Sequence, residues 1–499
     1  MNLASFPRWR ALLAALLALL IAVAPVHAQL PQLGDAGDLS TGAERKLGER
    51  IARELYRDPD YIDDPVIVEY VQGIWQALLE ASRARGELTP ELDERFAWQV
   101  LLGKDRTINA FALPGGWMGL NSGLVAATAN RDELASVLAH EMSHVTQRHI
   151  SRMVAQQSQQ APWMIAAMVL SALVVSKSPQ AAGAVAAGSQ GLAMQQQLNF
   201  SRDMEREADR IGFGVMSAAG FEPQGFVTMF EKLQQASRLN DSGAFPYLRT
   251  HPMTTERAAD MQARQQLAAR APVQPTLEHA VVSARAKVIS NSGVDSLRSM
   301  VADAESASLA SQPRARQAHL LYAGTLAAAR LRDAGVARQL LSRLDGVVAG
   351  DAAAQRQARL LAAELATAAQ DWPRVLQLVD AVSERRPEML LVCQAWTQSG
   401  RAREAAERLQ SWVATRPRDA GAWQLLSAAY QAQGQSLRAV RADAEARVAQ
   451  LDFQAALDRL RAAQDMMRKG GSSDYIEASI IDTRARQVAS LLREQSLER

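Results

Sequence analysis

His140-Glu141-Met142-Ser143-His144 carries the chemistry most openly written in this chain. Positions i and i+4 share one face of an α-helix, so both imidazoles can aim at a single ion, as in zinc metallopeptidases. The glutamate sits beside that ion, where it can take a proton from a water that the metal acidifies. The alternative is an ordinary amphipathic helix that happens to carry two histidines, but histidine is scarce in the chain, with 7 in all. Two histidines also leave zinc short of donors, because a catalytic site needs three protein ligands and one open position. His149 follows His144 by five residues, lies on a different face of a continuous helix, and is a poor third donor. The longer pattern with Gly and a third His fails, since Gln147 and Ile150 occupy those places.

A carboxylate from another helix remains. Glu205 and Asp209, four apart in Glu205-Arg206-Glu207-Ala208-Asp209, share a face. Glu205 would complete the ligand set, and Asp209 would accept a hydrogen bond from a ligand histidine and hold its tautomer. Glu207 points elsewhere and is expected in a surface ion pair. The competing account of Glu205 and Asp209 is a solvated face shared with Arg202, Arg206 and Arg210.

The elements that position these residues follow from periodicity. The stretches 96–102, 109–113 and 117–120 read as strands, with Pro114-Gly115-Gly116 as the turn between the last two. The expectation is a small antiparallel β-sheet in a mainly α chain. Asn130, with Glu133 three residues on, caps a helix running from Arg131 to about Gln157. Thr41 with Glu44 reads as a capping box for an earlier helix, and a second helix spans about 64–84. A charged helix over 201–220 carries Glu205 and Asp209, and Thr254 or Thr255 caps another that ends near 269. The strand 109–113 is read as a sheet edge on which an extended substrate adds, with Asn109 and Phe111 as contacts.

Length and composition set the rest. The chain has 499 residues, which implies two or three domains. Its 55 basic and 53 acidic residues exclude a nucleic-acid binder with a broad basic face. Arg8 and Arg10, the apolar run 11–24 and Val26-His27-Ala28 form a secretory signal, with an N-terminal anchor as the alternative. The single cysteine, Cys393, permits no internal disulfide and is read as a buried apolar residue; an exported chain without disulfides fits a bacterial periplasm. The nearly uncharged insert 158–200 is read as an active-site cover, an interfacial helix in peripheral contact with a membrane, or a span. Residues 271–275, Ala-Pro-Val-Gln-Pro, form a linker. The resulting division is 1–28 signal peptide, 29–270 peptidase domain and 276–499 helical repeats. In the last part, residues 395–401 align with 429–435, placing Trp396 over Tyr430 and Gly400 over Gly434 at a spacing of 34, the period of tetratricopeptide repeats. Such repeats form an α-solenoid with a concave surface for protein segments.

The motif His140 to His144, followed by Glu205-Arg206-Glu207-Ala208-Asp209-Arg210-Ile211-Gly212, resembles the zinc peptidase family that includes HtpX and the CAAX prenyl endoprotease. Residues 109–116 and Thr250-His251-Pro252-Met253 match further pieces of the same family. The resemblance implies a gluzincin-type domain, one zinc ion per chain, His140, His144 and Glu205 as its ligands, and Glu141 as base and then acid. It implies that His251, on a loop, reaches the metal as a fourth ligand and keeps the resting enzyme latent. It also implies unfolded or misassembled outer-membrane proteins as substrates and the outer-membrane barrel assembly machinery as a partner of the repeats. A chaperone or scaffold acting through the repeats, with a largely silent peptidase, is the rival reading.

Overall fold

The computed structural model describes residues 39–156, 201–238, 246–266, 276–470 and 474–497. The expected signal peptide, the insert 158–200 and the linker 271–275 lie outside the described residues. Among the described residues, no helix is long and apolar enough to cross a membrane.

Helix α1 (Thr41–Arg57) starts one residue earlier than the capping-box reading implies, because the Ser40 side chain accepts from the Ala43 N–H. Thr41 instead donates its hydroxyl to Glu91 Oε1 at 3.0 Å. Strand β1 (Tyr61–Ile62) and helix α2 (Pro65–Ala84) follow. Asp64 caps α2 and Pro65 opens it, with Val71, Ile74, Trp75 and Leu78 buried along one face.

Strands β2 (Gln99–Gly103), β3 (Ala110–Leu113) and β4 (Trp117–Asn121) complete a sheet of order β1-β2-β4-β3. β3 and β4 form the expected antiparallel hairpin, but β2 runs parallel to β4, so the sheet is mixed rather than antiparallel. The cause lies in β4. All five of its residues are buried, so it takes an interior place and leaves the partly buried Phe111 on the edge strand β3. Gly115 makes the intervening turn with φ 70°, and a Cβ there would lie 2.6 Å from the Arg45 Cα.

After a short helix α3 between β1 and β2 (Pro90–Arg95) and α4 (Ser122–Ala127) comes α5 (Arg131–Thr146), which carries the histidines. Asn130 Oδ1 accepts from the N–H groups of Asp132 and Glu133, as expected of its cap. α5 stops well short of the expected Gln157. Arg148 adopts a left-handed φ of 52°, and a separate helix α6 (His149–Gln156) follows. The break is held by the Arg148 guanidinium, which donates to Glu44 Oε2 at 3.0 Å and to the Leu39 carbonyl. Helix α7 (Arg202–Ala218) crosses α5. They pack closely at Gly212, where a Cβ would lie 3.1 Å from the Ala139 carbonyl and the His140 nitrogen. Helices α8 (Gln224–Arg238), α9 (Tyr247–Thr250) and α10 (Thr255–Gln266) close the peptidase portion.

Among the described residues twelve α-helices follow, from α11 (Leu277–Ser290) to α22 (Tyr475–Leu497). α11 does not stand apart: Val282, Ala286 and Ile289 are buried in the same core as α2 and α5. Three arginines stitch the seam. Arg285 lies between Asp64 and Glu364, Arg356 between Glu69 and Glu388, and Arg386 between Asp63 and Asp419, all within 2.5–2.9 Å. His279 joins it, with Tyr70 Oη at 2.8 Å from Nδ1 and the Thr128 carbonyl at 3.0 Å from Nε2. The 34-residue self-match is geometric as well: Arg401 donates to the Trp396 carbonyl and Gln435 to the Tyr430 carbonyl, over Gly400 at φ 85° and Gly434 at φ 72°. The same closure recurs at Asp333 and Asp371, over Arg332 and Gln370 at positive φ. Cys393 is buried, and burial pushes its thiol up to about 12.

Candidate metal centre and active site

α5 is buried on nearly every side, so its polar residues must find partners inside the protein. His140, His144, Glu205 and His251 each turn one donor atom to a common point, with these atoms all within 4.8 Å of one another. His140 Nε2 lies 3.0 Å from His144 Nε2 and 3.3 Å from His251 Nδ1. Glu205 Oε1 lies 3.4 Å from His144 Nε2 and 2.9 Å from His251 Nδ1. Donors on a zinc tetrahedron with bonds near 2.1 Å stand about 3.4 Å apart, so this spacing suits the ion. The charge suits it too: Glu141, Glu205 and Asp209 against Arg257 leave two negative charges, counted with neutral imidazoles. The residues therefore fit zinc.

The electrostatics show the same pull toward a cation. Burial disfavours a protonated His140, yet hydrogen bonds with Asp209 and Glu205 outweigh it and push the group up to about 10. His144 is held well below its ordinary value by burial and by His140 beside it. Burial raises Glu205, but His251 and His140 overcome this and hold it well below the usual carboxylate range.

Glu141 is fully buried on the same helix. Its Oε2 accepts from the backbone N–H of Ala112 on β3 at 2.8 Å. Its Oε1 has no hydrogen bond, and the nearest basic atom is His251 Nε2 at 3.4 Å. A carboxylate oxygen aimed bare at the ligand cluster is placed to take a proton there.

The surrounding side chains hold the donor residues in place. His140 Nδ1 lies 2.9 Å from Asp209 Oδ1, the contact expected of that residue. Asp209 is in turn gripped by Arg257, through Nε to Oδ2 at 2.7 Å and Nη2 to Oδ1 at 2.8 Å. Arg257 also reaches Glu205 Oε2 and the Pro252 carbonyl, both at 2.8 Å. The sequence reading misses Arg257; its one signal is its place in the first turn of a helix just after the matched Thr250-His251-Pro252. His251 follows α9 directly, its ring stacked on the Tyr247 ring with centroids 4.5 Å apart.

His149 stays outside the donor set, as expected of a poor third ligand, yet it lies against that set: its Nδ1 is 2.9 Å from His144 Nδ1. Glu207 is not only a surface pair, since its Oε2 lies 3.1 Å from His149 Nε2 and 2.9 Å from Arg152 Nη1. The spacing argument presumes an unbroken helix, and the left-handed Arg148 invalidates that. Asn109 and Phe111 are not brought to the cluster. The Phe111 ring covers Gly119 and packs toward α1, while Ala112 faces α5.

Residues 70–265 match the model of peptidase family M48. The chain is 31% identical over 460 residues to the beta-barrel assembly-enhancing protease of Escherichia coli strain K12, covering 90% of each chain. It is also 30% identical over 197 residues to the mitochondrial metalloendopeptidase OMA1 of Saccharomyces cerevisiae, covering 38% of this chain and 54% of that one. The chain belongs to peptidase family M48. Peptidases of family M48 use zinc, and the protein is a zinc metallopeptidase that hydrolyses peptide bonds. When bound, zinc supplies Lewis acidity, which makes water a stronger acid and a peptide carbonyl a better electrophile.

Proposed function

We propose that the protein is a periplasmic endopeptidase that cleaves extended segments of misfolded or stalled outer-membrane proteins and assists their assembly. In this reading His140, His144 and Glu205 hold zinc. Glu141 takes the proton of the attacking water through its bare Oε1 and passes it to the leaving amine. Asp209 fixes the orientation of His140. The outward backbone of β3 receives the substrate as an added strand, the role falling to the backbone rather than to the Asn109 and Phe111 side chains. His251 is a fourth ligand that closes the resting site. The helical repeats, read as tetratricopeptide repeats over 276–499, present clients and engage the barrel assembly machinery. The observation that carries the reading is the bare Glu141 Oε1 beside four converging donor atoms, in a chain that aligns along nine-tenths of its length with a beta-barrel assembly-enhancing protease.

The test is degradation of an unfolded outer-membrane barrel protein by the mature chain (29–499) with zinc. Wild type cleaves it, Glu141→Gln loses cleavage by about 10²–10⁴-fold while keeping zinc, and His251→Ala cleaves faster. Full cleavage by Glu141→Gln overturns the mechanism, and unchanged cleavage by a folded His251→Ala overturns the latency. If Glu141→Gln fully restores barrel assembly in cells lacking the protein, the scaffold reading replaces proteolysis as the main role.

A further inference from the structure

His149 and Glu207 lie outside the donor cluster, yet they continue it. The break at Arg148 swings His149 back beneath His144, and the two rings meet edge to face with centroids 4.9 Å apart. The His149 side chain is fully buried, whereas Glu207 is part-exposed, at 30%.

With neutral imidazoles and His144 Nε2 as the metal donor, the proton positions along this line follow in turn. His144 turns Nε2 toward His140 and Glu205. For Nε2 to offer an electron pair to a metal, the ring proton must sit on Nδ1. That Nδ1–H meets His149 Nδ1 at 2.9 Å, which must then accept and be bare. The proton of His149 is thereby placed on Nε2, 3.1 Å from the Glu207 carboxylate, which accepts it. The opposite arrangement puts a proton on His149 Nδ1, forces His144 to accept at Nδ1, and turns an N–H into the donor cluster.

We propose that His149 and Glu207 are positioning residues that lock His144 in its metal-binding tautomer, Glu207 setting His149 and His149 setting His144. His140 is held by a carboxylate directly, whereas His144 is held by a carboxylate acting through a second imidazole. The inference rests on His144 being a zinc ligand.

Zinc affinity, measured by competition with a chromophoric chelator, tests it without recourse to activity. The full mature chain is used, with the thermal unfolding of the zinc-free protein recorded alongside. His149→Phe keeps the ring's bulk but removes the acceptor, and is expected to lower zinc affinity about 10–100-fold with little change in zinc-free unfolding. Glu207→Gln keeps an acceptor oxygen and should lose only a few-fold. Glu207→Lys presents a donor to His149 Nε2, favours the opposite tautomer, and should match His149→Phe. Unchanged affinity in His149→Phe, or a loss in Glu207→Lys no larger than in Glu207→Gln, overturns the inference. Should His149→Phe fail to fold, the two variants at part-exposed Glu207 decide it alone. His144→Ala separates the two levels: retained zinc there sinks the ligand assignment itself, while lost zinc there with full zinc in the His149 and Glu207 variants sinks only the relay.

Discussion

Two of the regions that bury charge in this molecule do so differently. At the seam between the peptidase portion and the C-terminal helices, each of Arg285, Arg356 and Arg386 is bracketed by two carboxylates, one from residues 63–69 and one from beyond residue 276. Every charge there has its answer within the chain. At the donor cluster, three carboxylates face one guanidinium, and Glu141 Oε1 has no hydrogen bond. Buried ions are costly unless paired, so an unbalanced set persists only where a further cation completes it. A closed set serves structure; an open one serves chemistry.

The comparison can be broken experimentally. The largest effect on stability is expected at the closed set. Arg285→Met leaves Asp64 and Glu364 facing each other without their cation, and should destabilise the protein by about 3–5 kcal/mol. Chemical denaturation should show this with zinc stoichiometry unchanged; lost zinc would mean that the two regions are not separate. Chelation is the matching experiment at the open set. Stripping zinc should lower the unfolding temperature, with a linkage of about 4 kcal/mol at free zinc 1,000-fold above Kd, and re-addition should restore it. An unfolding temperature indifferent to zinc would show the cluster balanced without it.

The smallest of the three concerns acid. His279 at the seam is fully buried, and burial pulls it down to about 4. Its unfolded form binds a proton near 6.5 while the folded form resists until about 4, so the unfolded state takes up protons first as pH falls. Stability from this group is complete above about 6.5 and is lost between about 6.5 and 4, on the order of 3 kcal/mol. His279→Gln should flatten that part of a stability–pH curve; an unchanged slope would place the acid sensitivity elsewhere.

The residues legible from the chain alone are those whose relation is internal to one element. His140 and His144, Glu205 and Asp209, the Asn130 cap and the Pro114-Gly115-Gly116 turn all depend on spacing within a helix or hairpin, and the structure brings each to its expected neighbours. What escapes is set between elements. The parallel pairing of β2 with β4 depends on which strand is most enclosed, not on chain order. Arg148 is neither glycine nor asparagine, so nothing local announces its left-handed turn; Glu44, 104 residues away, helps to hold it. With that turn unseen, His149 falls on the wrong face, and its contact with Glu207 goes unforeseen. Arg257 becomes visible only when α10 meets α7. The matching closures at Asp333 and Asp371 are obscured likewise, because Arg332 and Gln370 take the left-handed place that glycine fills at 400 and 434.

Gly212 has a consequence for how freely this site can vary. Glycine inside a helix costs roughly 0.5–1 kcal/mol relative to alanine, so α7 gives up some strength where it crosses α5. In exchange the absent methyl acts as a gauge. Alanine at 212 would press on the Ala139 carbonyl and the His140 nitrogen from 3.1 Å, a fit relieved only by a shift of a few tenths of an ångström. Metal–ligand distances tolerate about 0.2 Å. A single carbon, two turns along from Glu205 and touching none of the proposed ligand side chains, would thus ask for a shift of the same order as that tolerance.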